Sequence, residues 1–208
     1  MFNSTIRSFT RLTVELPSRD IFLRLGGNLY KTKLSAAAAA STAISVSNAF
    51  ALCRLQGRYT VIPVRRWFDD GIETASGSSW TLGRDFCSRC QQCPFLWMGA
   101  VTAGKAVTDA RDSRASVAEQ LIYDAVGSES ADAAMELLHR LAATELRPRG
   151  MQLAPRRYSP GYNDMPLAVQ QHFFEVLDMA QMDITLSGNY FMTPEKSVTA
   201  FAAISTAE

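Results

Sequence analysis

Two groups of residues in this 208-residue chain have the types and spacing to do chemistry. The first is Arg157-Tyr158-Ser159-Pro160-Gly161-Tyr162, with a second run, Phe191-Met192-Thr193-Pro194-Glu195-Lys196-Ser197-Val198, downstream of it. Pro160 fixes one backbone angle and Gly161 frees the next, which predicts a sharp turn whose backbone can approach a ligand closely. The turn carries an arginine, a small hydroxyl and an aromatic. A guanidinium fork matches a carboxylate in two-point geometry, so the chemistry on offer is anion anchoring. The plainer alternative is structural: Arg157 caps the end of an element and the Pro-Gly-Tyr run is only a turn.

The second group is Cys87, Cys90 and Cys93, three of the four cysteines (the other is Cys53). Three thiolates at this spacing can hold part of an iron–sulfur cluster or a zinc ion. The bacterial ferredoxin run has a fourth cysteine four residues after the third, and here Pro94 follows Cys93 directly. A fourth ligand would come from Cys53, a histidine, a partner or solvent. The bland alternative is three reduced, partly buried cysteines in a polar loop. Three cysteines in one short segment do not resemble a secreted disulfide framework.

Regular elements must position these groups. Residues 18–25 read as a short capped helix ending at Gly26-Gly27, and residues 35–54 as an Ala-rich helix. Residues 59–64 are rich in β-branched types and predict a strand, which Pro63 places at an edge or an end. Residues 69–93 read as polar and irregular. Residues 95–101 are apolar throughout and predict a central strand. A helix follows from Lys105, then a longer one over 115–146, with Gly127-Ser128 expected to interrupt it. Pro166 suits a helix start, and Val169, Phe173, Val176 and Leu177 give the next helix one apolar face. Residues 184–186, 190–192 and 198–204 predict strands joined by short turns, as in an antiparallel meander. Helices come early and in the middle, with strands scattered and late. The order favours an α+β fold, helices packed on a bent antiparallel sheet, over a doubly wound sheet.

Composition narrows the function classes. A formal net charge of +1 gives no electrostatic footprint for nucleic acid. The Ala-rich run from Leu34 is broken by Ser35, Ser41, Thr42, Ser45, Ser47 and Asn48, short of a convincing membrane span. The first twelve residues lack the apolar core of a signal peptide. These features together predict a cytoplasmic protein without a membrane partner. His139 and His172 read as members of solvated helix faces, as do the charges of Lys105, Arg111 and Arg114. Trp67, Trp80 and Trp97 read as packing residues.

Several separated elements, in order, resemble the activation domain of cobalamin-dependent methionine synthase. Arg157 to Tyr162 matches that family's Arg-x-x-Pro-Gly-Tyr, and Pro194, Ser197 and Val198 fall in register with its Met-x-Pro-x-x-Ser-Val. Pro166 and Gln170 match shorter family members. Asp124-Ala125-Val126-Gly127-Ser128 resembles an Asp-Ala-x-Gly-Ser element, and Val101-Thr102-Ala103-Gly104 a Thr-x-Gly strand end. The likeness covers residues 90–204 well and 14–65 loosely. It implies one activation-like domain over residues 1–208: an N-terminal part over 1–65, a Cys-containing loop over 66–94, and a ligand-binding core over 95–204.

The resemblance implies binding of S-adenosylmethionine. Arg157 would take the methionine carboxylate, Ser159 and Gly161 would offer backbone groups to the adenosyl part, and Tyr162 would pack on the ligand. An acid from the long helix would meet the ammonium, Asp132 as the best positional match and Glu136 as the second. It further implies reductive methylation of cobalamin carried by a partner, either a corrinoid protein or methionine synthase catalytic domains on another chain, with a reductant such as a flavodoxin. Two departures stand out. Ala202 occupies the place of a second family tyrosine, and Ser187-Gly188-Asn189 replaces a Thr-Glu-Ser turn. They keep open a module that retains the fold and has lost the ligand. A third reading is a metal-dependent electron-transfer accessory built around Cys87, Cys90 and Cys93.

Overall fold

A strand as uniformly apolar as residues 95–102 needs cover on both faces, and the architecture supplies it. The computed structural model describes residues 5–28 and 35–206; Leu34 and the first four residues lie outside that range. In chain order the elements are β1 (Arg7–Phe9), α1 (Ser18–Arg24), α2 (Ala36–Leu52), β2 (Gln56–Trp67), β3 (Gly71–Thr74), β4 (Ser79–Thr81), α3 (Arg84–Cys90), β5 (Phe95–Thr102), α4 (Ala106–Asp112), α5 (Val117–Leu146), β6 (Met151–Leu153), α6 (Gln170–Leu177), β7 (Thr185–Leu186), β8 (Met192–Thr193) and β9 (Ser197–Thr206). Seven strands form an antiparallel sheet in the order β4-β3-β2-β5-β9-β6, with β1 alongside β2.

Alternation along the two central strands divides the core. Trp97 and Val101 of β5, with Ala200, Ala202 and Ile204 of β9, face α5 and α2. Leu96, Met98 and Ala100, with Phe201 and Ala203, face α6 and the segment from β3 to α3. The fold is α+β, helices on both sides of an antiparallel sheet.

Four expectations change. Residues 69–93 are not irregular: they form the β3–β4 hairpin and α3. Pro63 is neither at an edge nor at an end. It lies inside β2 where β1 has stopped pairing, at Tyr59, and β3 has not begun, at Val64. Its missing N–H therefore faces a gap, while its carbonyl accepts from the Ala75 N–H at 2.9 Å. Helix α5 runs unbroken for 30 residues. Gly127 is there for close approach, since an added Cβ would stand 2.9 Å from Cγ of Lys196 and 3.3 Å from Cγ1 of Val107. Finally, β7 and β8 form the expected tight hairpin, but β9 leaves it and inserts between β5 and β6. No helix among the described residues is long and apolar enough to cross a membrane.

Candidate functional site

The turn after β6 is fixed to the centre of the sheet. Tyr158 and Phe201 exchange backbone hydrogen bonds of 2.9 and 2.8 Å, which sets Arg157 and Ser159 beside β9. Gly161 has φ +86°, a conformation that a residue with a Cβ seldom adopts. Its N–H donates to the Met165 carbonyl at 3.0 Å, closing the loop. The Asp164 carboxylate then accepts the Arg84 and Asp85 N–H groups at 2.6 and 3.1 Å, tying the loop to the start of α3.

Three hollows share walls around this turn. One of about 300 Å³ lies between Arg157, Ser159 and Tyr162 and the Asp85-Phe86 end of α3. A second, of about 270 Å³, places Ser159 and Tyr162 opposite Asp132, Gln170, Met192 and Thr199. A third, of about 600 Å³, runs along α5 past Asp132, Glu136 and Arg157 to the irregular segment at Val14. Small-molecule pockets usually measure ~300–1,000 Å³. Five of the six residues singled out for ligand binding therefore border one or more of these hollows, and the sixth, Gly161, shapes the bend.

The charges are arranged unequally. Nη1 of Arg157 donates to Oε2 of Glu136 at 2.7 Å. That hydrogen bond holds the Glu136 carboxyl below its ordinary value against the effect of burial. Glu136 is thus committed to Arg157 rather than presented to a ligand. Asp132 has a looser contact, 3.8 Å from Arg24. Loss of solvent and the charge of Glu129 raise its pKa, with Arg24 and Arg157 only partly offsetting them. An under-compensated carboxylate in a wall is suited to a cation. Tyr162 stands 72% exposed, so it is available to cover a ligand rather than packed in the core.

Gln170 and Thr199 were not assigned a role by the sequence. Thr199 Oγ1 donates to Gln170 Oε1 at 2.8 Å, and both residues are buried behind the second hollow. With its carbonyl oxygen engaged, Gln170 has its amide Nε2 as the remaining donor end. The available signal was a polar residue one position beyond Val169 on a helix whose other core positions, Phe173 and Leu177, are apolar.

Several neighbouring expectations are corrected. Among the described residues no group of three His, Cys, Asp or Glu side chains is arranged to hold a metal ion. Cys87 Sγ is instead directed at the Gly71 carbonyl, 3.7 Å away. His139 is buried and meets Trp97 edge-on at 5.1 Å, while His172 stacks on Trp80 at 4.7 Å. Neither belongs to a solvated face. Arg111 is also engaged, gripping Glu195 with two nitrogens at 2.9 and 3.1 Å and Asp124 at 2.8 Å. Arg114 lies over the Tyr123 ring and donates to its hydroxyl at 2.7 Å.

Two sequence elements meet in that last network. Lys196 Nζ, buried, donates to Asp124 at 2.7 Å and to Glu195 at 2.9 Å. Burial raises the Asp124 carboxyl, but Lys196 and Arg111 outweigh it and hold it below its ordinary value. The Ser197 hydroxyl donates to the Pro194 carbonyl at 2.7 Å and lies 2.9 Å from the Thr102 hydroxyl. Ala202 is wholly buried on the α5 side and borders none of the three hollows. Residues 187–189 form the exposed β7–β8 turn.

A comparison with protein-family models finds no match, and a search of curated proteins finds no relative. Among solved structures, the chain is similar to the reactivation domain of MetH bound to AdoHcy. The two share a TM-score of 0.67 at 14% identity, over 97% of this chain and 78% of that one. The chain has the fold of that reactivation domain.

Proposed function

Proceeding from the shared fold, we propose that this chain binds S-adenosylmethionine in the hollows around the Arg157 turn and presents its methyl group to a corrinoid on a separate protein. The observation that carries the reading is the placement of Arg157, Ser159, Tyr162 and Asp132 on the walls of adjacent hollows in this fold. The likeness to a domain seen with AdoHcy supports it. Arg157 takes the ligand carboxylate with the donors that Glu136 does not occupy. Asp132 receives the ammonium. Tyr162 covers the adenosyl part, and Gln170 offers an amide donor from the floor.

The reaction asks little else of the protein. A fully reduced corrinoid cobalt is the nucleophile and the sulfonium is already a good leaving group. This chain's residues need only fix the donor's position and exclude water. The partner would be a corrinoid protein or methionine synthase catalytic domains, with a reductant such as a flavodoxin restoring the cobalt.

One observation favours a second reading, a binding module that keeps the fold without the ligand: Glu136 already neutralises part of the Arg157 fork. Calorimetric titration with S-adenosylmethionine and with S-adenosylhomocysteine separates the two. The first reading expects saturable binding that Arg157→Ala weakens. Absence of heat and of any thermal shift with either ligand supports the second.

A further inference from the structure

The segment Cys90-Gln91-Gln92-Cys93 lies outside the ligand site and has a defined geometry of its own. Cys90 is the last residue of α3, Gln91 follows with φ −53° and ψ 145°, and Gln92 has φ +76°. The Cys93 N–H donates to the Cys90 carbonyl at 3.1 Å. These angles describe a type II β-turn with a side-chain-bearing residue at the position that favours glycine. The turn is held from outside. Trp67 Nε1 donates to the Cys93 carbonyl at 2.9 Å, and the Val64 N–H to the Pro94 carbonyl at 2.9 Å.

Such a turn sets its first and last Cα atoms within about 7 Å. A disulfide closes over Cα separations of ~4.4–6.8 Å and Cβ separations of ~3.5–4.5 Å. Cys87 is the poorer partner for Cys90. Three residues apart on one helix, their Cβ atoms are held ~5–6 Å apart. All four cysteines are reduced in this structure. Burial pushes Cys90 up to about 12, and the neighbouring Cys93 and Cys87 sulfurs add to the rise, as expected for thiols close together.

We propose that Cys90 and Cys93 are a dithiol–disulfide pair, oxidised by thiol–disulfide exchange with a small-molecule disulfide. Cys93, half-buried, is the entry point. Its thiolate attacks one sulfur of the small disulfide and the other sulfur leaves as a thiolate. The Cys90 thiolate then attacks Cys93 Sγ, the mixed bond breaks, and the second small thiolate departs. Two protein thiols lose two electrons and two protons, and one small disulfide becomes two thiols. The closed ring would clamp the C-terminal end of α3, whose first turn carries Asp85 and Phe86 of the ligand wall.

The test uses the full chain incubated with oxidised glutathione, then alkylated and weighed without reductant. The expected product is lighter by two hydrogens, takes alkyl groups only on Cys53 and Cys87, and yields one peptide with Cys90 linked to Cys93. Thiolate is the attacking form, so the rate rises about tenfold per pH unit between 7 and 9. Cys87→Ser keeps the cross-link, and Cys93→Ser or Cys90→Ser ends it. Cys93→Ser, the less buried change, keeps the outcome readable if Cys90→Ser fails to fold. Four alkylated cysteines after oxidation, a bridge to Cys53 or Cys87, a lasting glutathione adduct on Cys93, or a stoichiometric zinc that blocks labelling would each overturn the proposal.

Discussion

Two charged regions on α5 have opposite designs. Around Asp124 the charges interlock: Lys196 and Arg111 each hold Asp124 and Glu195, and Arg111 also holds Asp112, closing a five-member network that ties α4, α5 and the entry to β9 together. Further along the same helix, Asp132 has one distant cation and Arg157 one carboxylate, with open space between them. The first region resembles a structural clamp, and the second is where the proposed function places a zwitterion. Both sit on sequence elements that a motif search would weigh alike. What separates them is whether the charge is already satisfied.

The largest effect should come from breaking the closed region. Lys196→Met leaves Asp124 and Glu195 facing each other with one cation between them. Removing one partner of a buried pair costs about 3–5 kcal/mol. Asp124 keeps some exposure, which reduces this to about 2–3 kcal/mol in urea unfolding. Acid should act on the same contacts. The Asp124 and Glu195 carboxyls are held below their ordinary values of 3.8 and 4.5 when folded. The unfolded chain therefore binds more protons, so stability is present above that range and falls as pH drops through and below it. A flat stability profile between pH 5 and 3 would remove the clamp from the comparison.

Arg157→Ala tests the open region. A charge-assisted contact is worth about 1.5–3 kcal/mol, so S-adenosylmethionine affinity should fall about 10- to 150-fold. Stability should change by less than about 1 kcal/mol, because the pair with Glu136 is solvent-exposed. A loss of stability as large as that of Lys196→Met would make both regions structural.

The sequence carried the fold further than the site. Periodicity placed α2, α5 and β5 well, because long elements average over many residues. It failed where tertiary packing overrode local preference. Gly127 looked like a helix break and is a contact with Lys196 and Val107. Pro63 looked like a strand end and faces a gap between two partners. For the candidate site, the turn motif could single out Arg157, Ser159, Gly161 and Tyr162 together, since four residues in one run need no folding to be neighbours. Spacing could not show that Glu136 turns onto Arg157, or that Gln170 at the start of α6 meets Thr199 of β9. Those facts depend on side-chain direction across elements.

Asp132→Asn sharpens the comparison at smaller amplitude. It removes the charge offered to the ammonium and should weaken binding about tenfold. The wild-type site should also lose affinity on acidification. Asp132 is raised above its ordinary 3.8 when folded, so its charged form disappears at a higher pH than an exposed aspartate's. Affinity is expected to decline as pH approaches that raised value from above, and the decline should be absent in Asp132→Asn. Identical pH profiles for both proteins would transfer the ammonium role elsewhere.

The smallest and most discriminating change is Glu136→Gln. Its cost in stability should be within about 0.5 kcal/mol, since the exposed pair with Arg157 contributes little. Its effect on binding depends on which reading holds. A site that takes a carboxylate at Arg157 must share the guanidinium with Glu136, and an amide competes less strongly than a carboxylate. Affinity for S-adenosylmethionine should therefore rise two- to fivefold, roughly 0.4–1 kcal/mol. A module that has abandoned the ligand gains nothing from the exchange, and titration of the variant would remain silent. A fall in affinity instead would mean that Glu136 orients Arg157 for the ligand, making the pair part of one recognition unit.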